Sequence, residues 1–366
     1  MSLHRKAVLT LARRSILKGA LFAVALASIS MIGVGTSRAA GNVSILETGS
    51  SLLYPLFNLW VPVYTKSHPG VRITPQSTGS GTGIAQAIAG IVQIGASDAY
   101  MSPAQMKQKP LLNIPLCISM QMVNYNLPGL NQRHLKLSGP VLAGIYQGKI
   151  RYWDDAAIRG LNPGVNLPHH VIIPVHRSDG SGDTFIFTQY LAFSTPEWAN
   201  SVSYGTTVSW PAVPGGLGAE GNPGMFTATQ DNSYSIAYIG TSFENQIEHA
   251  ELGIAMLKNR AGSFLLPSTR TADAAAAVMV AKTPKDERVS LIFAPGAESY
   301  PIINYEYALV SRNQPSPEMA AALRQFFTWA MSVRGGSSPR FMNAVHFVPL
   351  PAPIAKLTAA QIAEIR

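Results

Sequence analysis

Residues 176–184, His176-Arg177-Ser178-Asp179-Gly180-Ser181-Gly182-Asp183-Thr184, place a guanidinium, three hydroxyls and two glycines within nine residues. They follow a short β-like run, Val171-Ile172-Ile173-Pro174-Val175, and precede the apolar stretch Phe185-Ile186-Phe187, which opens a helix-like pattern. A Gly/Ser loop at a helix start turns N–H donors and the positive end of the helix dipole toward one point, which suits an oxyanion. Arg177 adds a planar cation that can reach the anion or fix the carboxylates around it. One such loop alone reads better as a polar turn with Asp or Ser as the N-cap.

Two further loops of this kind stand upstream. Thr48-Gly49-Ser50-Ser51 follows the alternating segment Val43-Ser44-Ile45-Leu46-Glu47, and Ser77-Thr78-Gly79-Ser80-Gly81-Thr82-Gly83 follows Val71-Arg72-Ile73-Thr74-Pro75. Each runs into a helical pattern. Leu53, Leu56, Phe57, Trp60, Val61 and Tyr64 recur at helical spacing after the first, and Ile84 to Ala89 follows the second. Ser50 or Ser51 is a natural N-cap and Pro55 falls in a first turn, whereas Pro62 suggests a kink or a 3₁₀ segment. A third strand, Val92 to Asp98, ends in an acid that could cap the helix starting at Ser102-Pro103-Ala104.

The rest of the chain supplies the frame. Its 366 residues are enough for two domains, and 47% hydrophobic against 13% charged residues means a large core. Helical patterns cover Ser138 to Gln147, Asp154 to Arg159, Ala272 to Ala281 and Glu318 to Met331; Ile236-Ala237-Tyr238-Ile239-Gly240 alternates like a strand. The stretch Val208 to Gly224, dense in Gly and Pro, is expected to be irregular surface loop. The single cysteine, Cys117, excludes an internal disulfide and reads as core filler.

The net charge of +9 is a property of the leader. Arg5, Lys6, Arg13, Arg14, Lys18 and Arg38 precede the first acid, Glu47; without them 22 basic residues face 19 acidic ones, and no nucleic-acid partner is implied. Arg13-Arg14-Ser15-Ile16-Leu17-Lys18 reads as a twin-arginine export signal. Ala20 to Ser37 carries no charge, and Ser37 and Ala39 suit cleavage after residue 39. An uncleaved membrane anchor is the competing reading.

Several motifs in order make the mature chain similar to the substrate-binding proteins of ABC-type phosphate importers, the PstS-like family, and especially to its mycobacterial-type members. They are Leu53-Tyr54-Pro55-Leu56-Phe57-Asn58-Leu59-Trp60, Gly79-Ser80-Gly81-Thr82-Gly83, Ile94-Gly95-Ala96-Ser97-Asp98, and Val123-Asn124-Tyr125-Asn126-Leu127-Pro128-Gly129. Tyr146-Gln147-Gly148-Lys149-Ile150 with Trp153-Asp154-Asp155, Leu161-Asn162-Pro163-Gly164, the 176–184 loop and Tyr300-Pro301-Ile302-Ile303 complete the set. The resemblance implies an α/β, two-lobed periplasmic binding protein fold of type II with a two-strand hinge. Lobe I would hold 40–119 plus 302–366 and lobe II 120–301, after a signal peptide over 1–39. Composition alone reveals no inserted lobe, although Ile114-Pro115 and Tyr300-Pro301 suit the edges of short β-like runs.

Carried over by position, the family's phosphate contacts fall on Ser51, the backbone at Leu52, Ser80, Asp98, Arg177, Ser181, Gly182 and Asp183. Leu52 stands where an aromatic is common, and Asp183 where a hydroxyl is common, a wording shared with mycobacterial-type members. Asp98 is an acceptor among donors: a protonated phosphate can give it a hydrogen bond, and sulfate at neutral pH cannot. The implied protein is a monomeric, extracytoplasmic or periplasmic phosphate receptor serving a membrane permease and its ATPase, with no cofactor, metal or catalysis. Two other readings stay open, a phosphoester hydrolase using the same anion pocket and a receptor for another oxyanion. Ser181 with nearby His176 and Asp179 invites the first but lacks the Gly-x-Ser-x-Gly elbow. His169-His170 lacks the acidic or Cys partners of a metal site, and His346-Phe347-Val348-Pro349 reads as packing.

Overall fold

A computed structural model describes residues 42–366, so the leader and its arginine pair lie outside the described residues. Strand β1 (Val43–Gly49) turns into helix α1 (Tyr54–Ser67), β2 (Val71–Thr74) into α2 (Ser80–Ala89), and β3 (Ile94–Ser97) ends at Asp98 before α3 (Pro103–Gln108). A long strand, β4 (Leu112–Tyr125), follows, then β5 (Lys136–Leu137), α4 (Gly139–Tyr146) and α5 (Ala156–Leu161). Next come β6 (Ile173–Arg177), α6 (Gly182–Ser194), α7 (Pro196–Ser201), β7 (Leu217–Ala219), α8 (Gly221–Asp231) and β8 (Ser235–Gly240). The chain continues through α9 (Glu244–His249), β9 (Gly253–Ile254), β10 (Met256–Lys258), β11 (Phe264–Leu265) and α10 (Thr269–Ala277). It ends with β12 (Ile303–Val310), α11 (Pro317–Ala330), α12 (Pro339–Met342) and α13 (Ala352–Ala363).

Among the described residues one mixed sheet runs β2-β1-β3-β12-β4-β8-β6-β7, with β9 also on β4; β11-β10-β5 form a small second sheet. Two parallel blocks, β2-β1-β3 and β8-β6-β7, are joined through the antiparallel pair β12 and β4. Along β4 the partner changes from β12, whose last pair is Ile303 with Met120, to β8, whose first is Gly240 with Gln121. In both blocks strands lead from their carboxyl ends into helix starts, where α/β sheets bind ligands.

Pro115 does not mark an edge. It sits inside β4, whose fourteen residues are all buried. The register jumps from Tyr307↔Pro115 to Glu306↔Cys117, so Leu116 is the extra residue of a bulge, a place where a strand tolerates a proline's missing N–H. Tyr300-Pro301 precedes β12 outside any strand. Helix α1 continues through Pro62 with no 3₁₀ interruption; the carbonyl left without its N–H partner belongs to Asn58, an exposed residue that water can serve. The 208–224 stretch is only partly irregular, since it contains β7 and the first turn of α8.

Helix α11 buries Ala320, Leu323, Phe326, Phe327 and Ala330. Phe326 meets Phe57 and Trp60 of α1 at ring-centroid distances of 5.9 and 6.2 Å. Such pairs add about 0.5–1.5 kcal/mol each beyond their burial, and they clamp α1, whose preceding turn carries Ser50 and Ser51. Cys117 is free and buried in β4.

Candidate functional site

The ends of β1, β3, β6 and β7 converge with the start of α2. After β1, the Ser50 hydroxyl donates to Asp98 Oδ1 and accepts the N–H groups of Leu52 and Leu53 at 3.1 and 3.0 Å. Ser50 therefore caps the turn into α1, and the Leu52 N–H is already engaged; the Leu52 side chain packs against Gly240. At the start of α2, the Ser80 hydroxyl donates to Asp98 Oδ2 at 3.3 Å and accepts the Asp98 N–H at 3.2 Å. Asp98 does not cap α3, because Ser102 does so in a capping box with Gln105.

The second block closes over this half. The Gly81 N–H donates to the Gly180 carbonyl at 2.7 Å. Gly79, at φ +83°, takes a left-handed conformation that disfavours a side chain, and a Cβ there would strike Asp179 and the Gly180 carbonyl. At Gly182 a Cβ would collide with the Asp98 and Ser80 side chains, so only glycine lets α6 approach the acid. Ser181 caps α6, its hydroxyl accepting the Thr184 N–H at 3.1 Å.

Arg177 is locked between two acids. Its Nε and Nη2 fork onto both oxygens of Asp179, and its Nη1 donates to Asp183 Oδ2 at 2.7 Å. The Arg177 and Asp183 side chains are each 1% exposed. Asp183 also accepts from Asn222 Nδ2 at 2.8 Å and Gln121 Nε2 at 3.0 Å. Asn222 reaches across to Ser51, whose hydroxyl accepts both the Asn222 backbone and side-chain N–H groups at 3.0 Å. Tyr238 steadies the arginine by accepting its backbone N–H at 2.9 Å.

Burial dominates the protonation of this cluster. It raises Asp98 above the usual carboxylate range, opposed by hydrogen bonds from Glu306, Ser50 and Ser80 and by the charge of Arg177. Asp183 is pushed up to about 7 by burial and the charge of Asp98, against Arg177 and Asn222. Burial acts the same way on Asp179, but the Arg177 fork and the Gly221 N–H outweigh it, so Asp179 is lowered. The one guanidinium is thus already neutralised by its own acids. The donors left for an anion are hydroxyls and helix-start N–H groups, and an oxyanion facing Asp98 would need a proton of its own.

All eight residues named from the resemblance, Ser51, Leu52, Ser80, Asp98, Arg177, Ser181, Gly182 and Asp183, are buried in this one cluster. Sequence reasoning missed Asn222, Gln121, Tyr238 and Glu306, and it gave Ser50 and Asp179 no role in the site. Asn222 stands in the stretch expected to be irregular loop, yet Gly221, with φ +63° at the first position of α8 just after β7, repeats the strand–glycine–helix signal. Gln121 and Glu306 are polar residues inside fully buried strands, a detectable signal of its own.

The other candidates lie elsewhere. His176, next to Arg177 along β6 and so on the opposite face, stacks on Trp210 at 4.9 Å. His169 stacks on Tyr152 and meets Asp154 at 3.0 Å; His170 stacks on Tyr234. His346 contacts Glu244 at 3.2 Å, while Phe347 and Val348 are buried.

The model of the PBP superfamily domain matches residues 35–334. The phosphate-binding protein PstS of Pasteurella multocida is 37% identical, over 87% of this chain and 89% of that protein. PstS of Methanocaldococcus jannaschii is 35% identical, over 89% of this chain and 88% of its own. Among solved structures, the phosphate-binding protein from Stenotrophomonas maltophilia superposes with a TM-score of 0.68 at 19% identity, covering 87% of this chain and 93% of that one. The fold is the two-lobed α/β type II periplasmic-binding-protein fold, and the chain belongs to the PstS family of phosphate-binding proteins within the PBP superfamily.

Proposed function

We propose that the exported, mature chain closes on one inorganic phosphate between two lobes and delivers it to the permease and ATPase of an ABC importer, without catalysis. Asp98 carries this reading: a buried acceptor at a strand end, facing glycine-opened helix starts, selects an oxyanion that still bears a proton. Lobe I is assigned to 40–119 with 302–366 and lobe II to 120–301, in keeping with the change of partner along β4 between Met120 and Gln121. Ser51, Ser80 and Asp98 then approach phosphate from one lobe, and Arg177, Ser181, Gly182 and Asp183 from the other. The contacts from Gly81 to Gly180 and from Asn222 to Ser51 belong to the closed state, which ligand stabilises by differential contact. For the Leu52 N–H to reach phosphate, it must leave Ser50. Among the described residues no helix is long and apolar enough to cross a membrane. Export is assigned to the leader, cleaved after residue 39.

Phosphate should raise the midpoint of thermal unfolding of the mature protein in a concentration-dependent way, and sulfate should not. A model phosphoester should release no phosphate on incubation. Turnover of the ester would favour the hydrolase reading, and an equal thermal shift with sulfate would favour a general oxyanion receptor.

Asp183 gives a pH dependence. Arg177, Asn222 and Gln121 favour its anion, burial and Asp98 its neutral form, and the balance falls at about 7. As pH rises through that window the site gains a negative charge while phosphate gains its own, so phosphate affinity should fall. Asp183→Thr, titrated across the same range, should show a flatter profile and better binding at alkaline pH. Identical profiles would leave Asp183 only as a structural partner of Arg177.

A further inference from the structure

Glu306 projects from β12 into the space beside Asp98 and is fully buried. It lies opposite Cys117, at the bulge where β4 takes up its extra residue. One carboxyl oxygen, Oε1, accepts the Ser119 hydroxyl at 2.6 Å; the other, Oε2, has no donor. Asn304, two residues away on the same face of β12, donates its side-chain N–H to the Asp98 carbonyl, which brings the Glu306 and Asp98 carboxyl groups side by side. Asp98 from the end of β3, Asp183 from α6 and Cys117 from β4 are the titratable groups that act on this position, and Arg177 from β6 acts on Asp98. The arginine's side-chain bonds go to Asp179 and Asp183, so no cation separates the two carboxyls.

Two touching carboxyls buried together cannot both ionise, and one proton must lie between them. Its owner follows from the remaining partners. Asp98 has two serine donors and the nearby guanidinium to hold its charge, whereas Glu306 has one serine. A proton on either carboxyl gives Oε2 a partner, so the donors decide: Asp98 holds its charge better, and the proton sits on Oε2 of Glu306 and is donated to Asp98.

We propose that Glu306 is a positioning residue which, by keeping this proton and donating it to Asp98, holds Asp98 as a pure acceptor and so sets the preference for protonated oxyanions. The inference rests on the phosphate reading of Asp98.

Glu306→Gln keeps a donor of nearly the same shape and should leave phosphate affinity, its pH profile and sulfate exclusion as in the unmodified protein. Glu306→Leu removes the donor and should weaken phosphate binding about 10- to 100-fold. Its affinity should also decline on the acidic side at a higher pH, because Asp98 without the donor takes up a proton sooner. Infrared spectra of the unliganded protein at neutral pH should contain a protonated-carboxyl C=O band that Glu306→Gln lacks. A pH profile altered in Glu306→Gln, an unchanged Glu306→Leu, or absence of the band difference would overturn the proposal. If Glu306→Leu does not fold, Glu306→Gln and the infrared band decide. Failure of the unmodified protein to bind phosphate would defeat the functional reading, and the band would still report where the proton sits.

Discussion

Arg177→Met should abolish measurable phosphate binding and lower the free energy of unfolding by about 3–5 kcal/mol, the usual cost of stripping one partner from a buried ion pair. Methionine replaces much of the volume but leaves Asp183, 1% exposed, and Asp179, 13% exposed, without their cation. Urea unfolding at neutral pH reads the loss. Asp179 is held below its ordinary value, so its stabilisation is present above that value and disappears as pH falls through the lowered one. The gap between Arg177→Met and the unmodified protein should therefore narrow in acid. Adding Asp179→Asn and Asp183→Asn to Arg177→Met should recover stability without recovering binding. A single variant as stable as the parent would show that the two acids do not depend on Arg177.

Asp98→Asn should cost phosphate affinity about 1.5–3 kcal/mol, the range for a hydrogen bond to a charged group. The same variant should begin to bind sulfate. The parent carboxylate collects donors from Ser50 and Ser80 and offers the ligand only lone pairs. An amide presents an N–H as well, so an unprotonated oxyanion is no longer repelled. Paired titrations with phosphate and sulfate measure both effects. Unchanged affinity with unchanged sulfate exclusion would remove Asp98 from ligand recognition.

What is legible in the sequence is local. The strand–loop–helix units around Ser50, Ser80 and Ser181 declare themselves because alternation, Gly/Ser content and helical spacing act within some fifteen residues. The cap at Ser102 won over Asp98 for a reason visible only in three dimensions: Asp98 already holds Ser50 and Ser80. Asn222 was hidden by its setting. Gly and Pro on both sides read as surface loop, yet it is fully buried, because α8 docks it between Ser51 and Asp183 from opposite sides of the sheet's two blocks. Pro115 misled for the opposite reason: proline argues for a strand edge until a bulge absorbs it, and register is a property of two strands. Glu306 and Asp98 meet only once β12 has returned beside β3, a pairing no local pattern encodes.

The most direct test is calorimetric titration of the mature protein, freed of bound anion, with phosphate, arsenate and sulfate at neutral pH. One phosphate site per chain is expected, with competition by arsenate, which carries a proton in the same range, and no saturable heat with sulfate. Sulfate binding as tight as phosphate, or no phosphate binding, would contradict it.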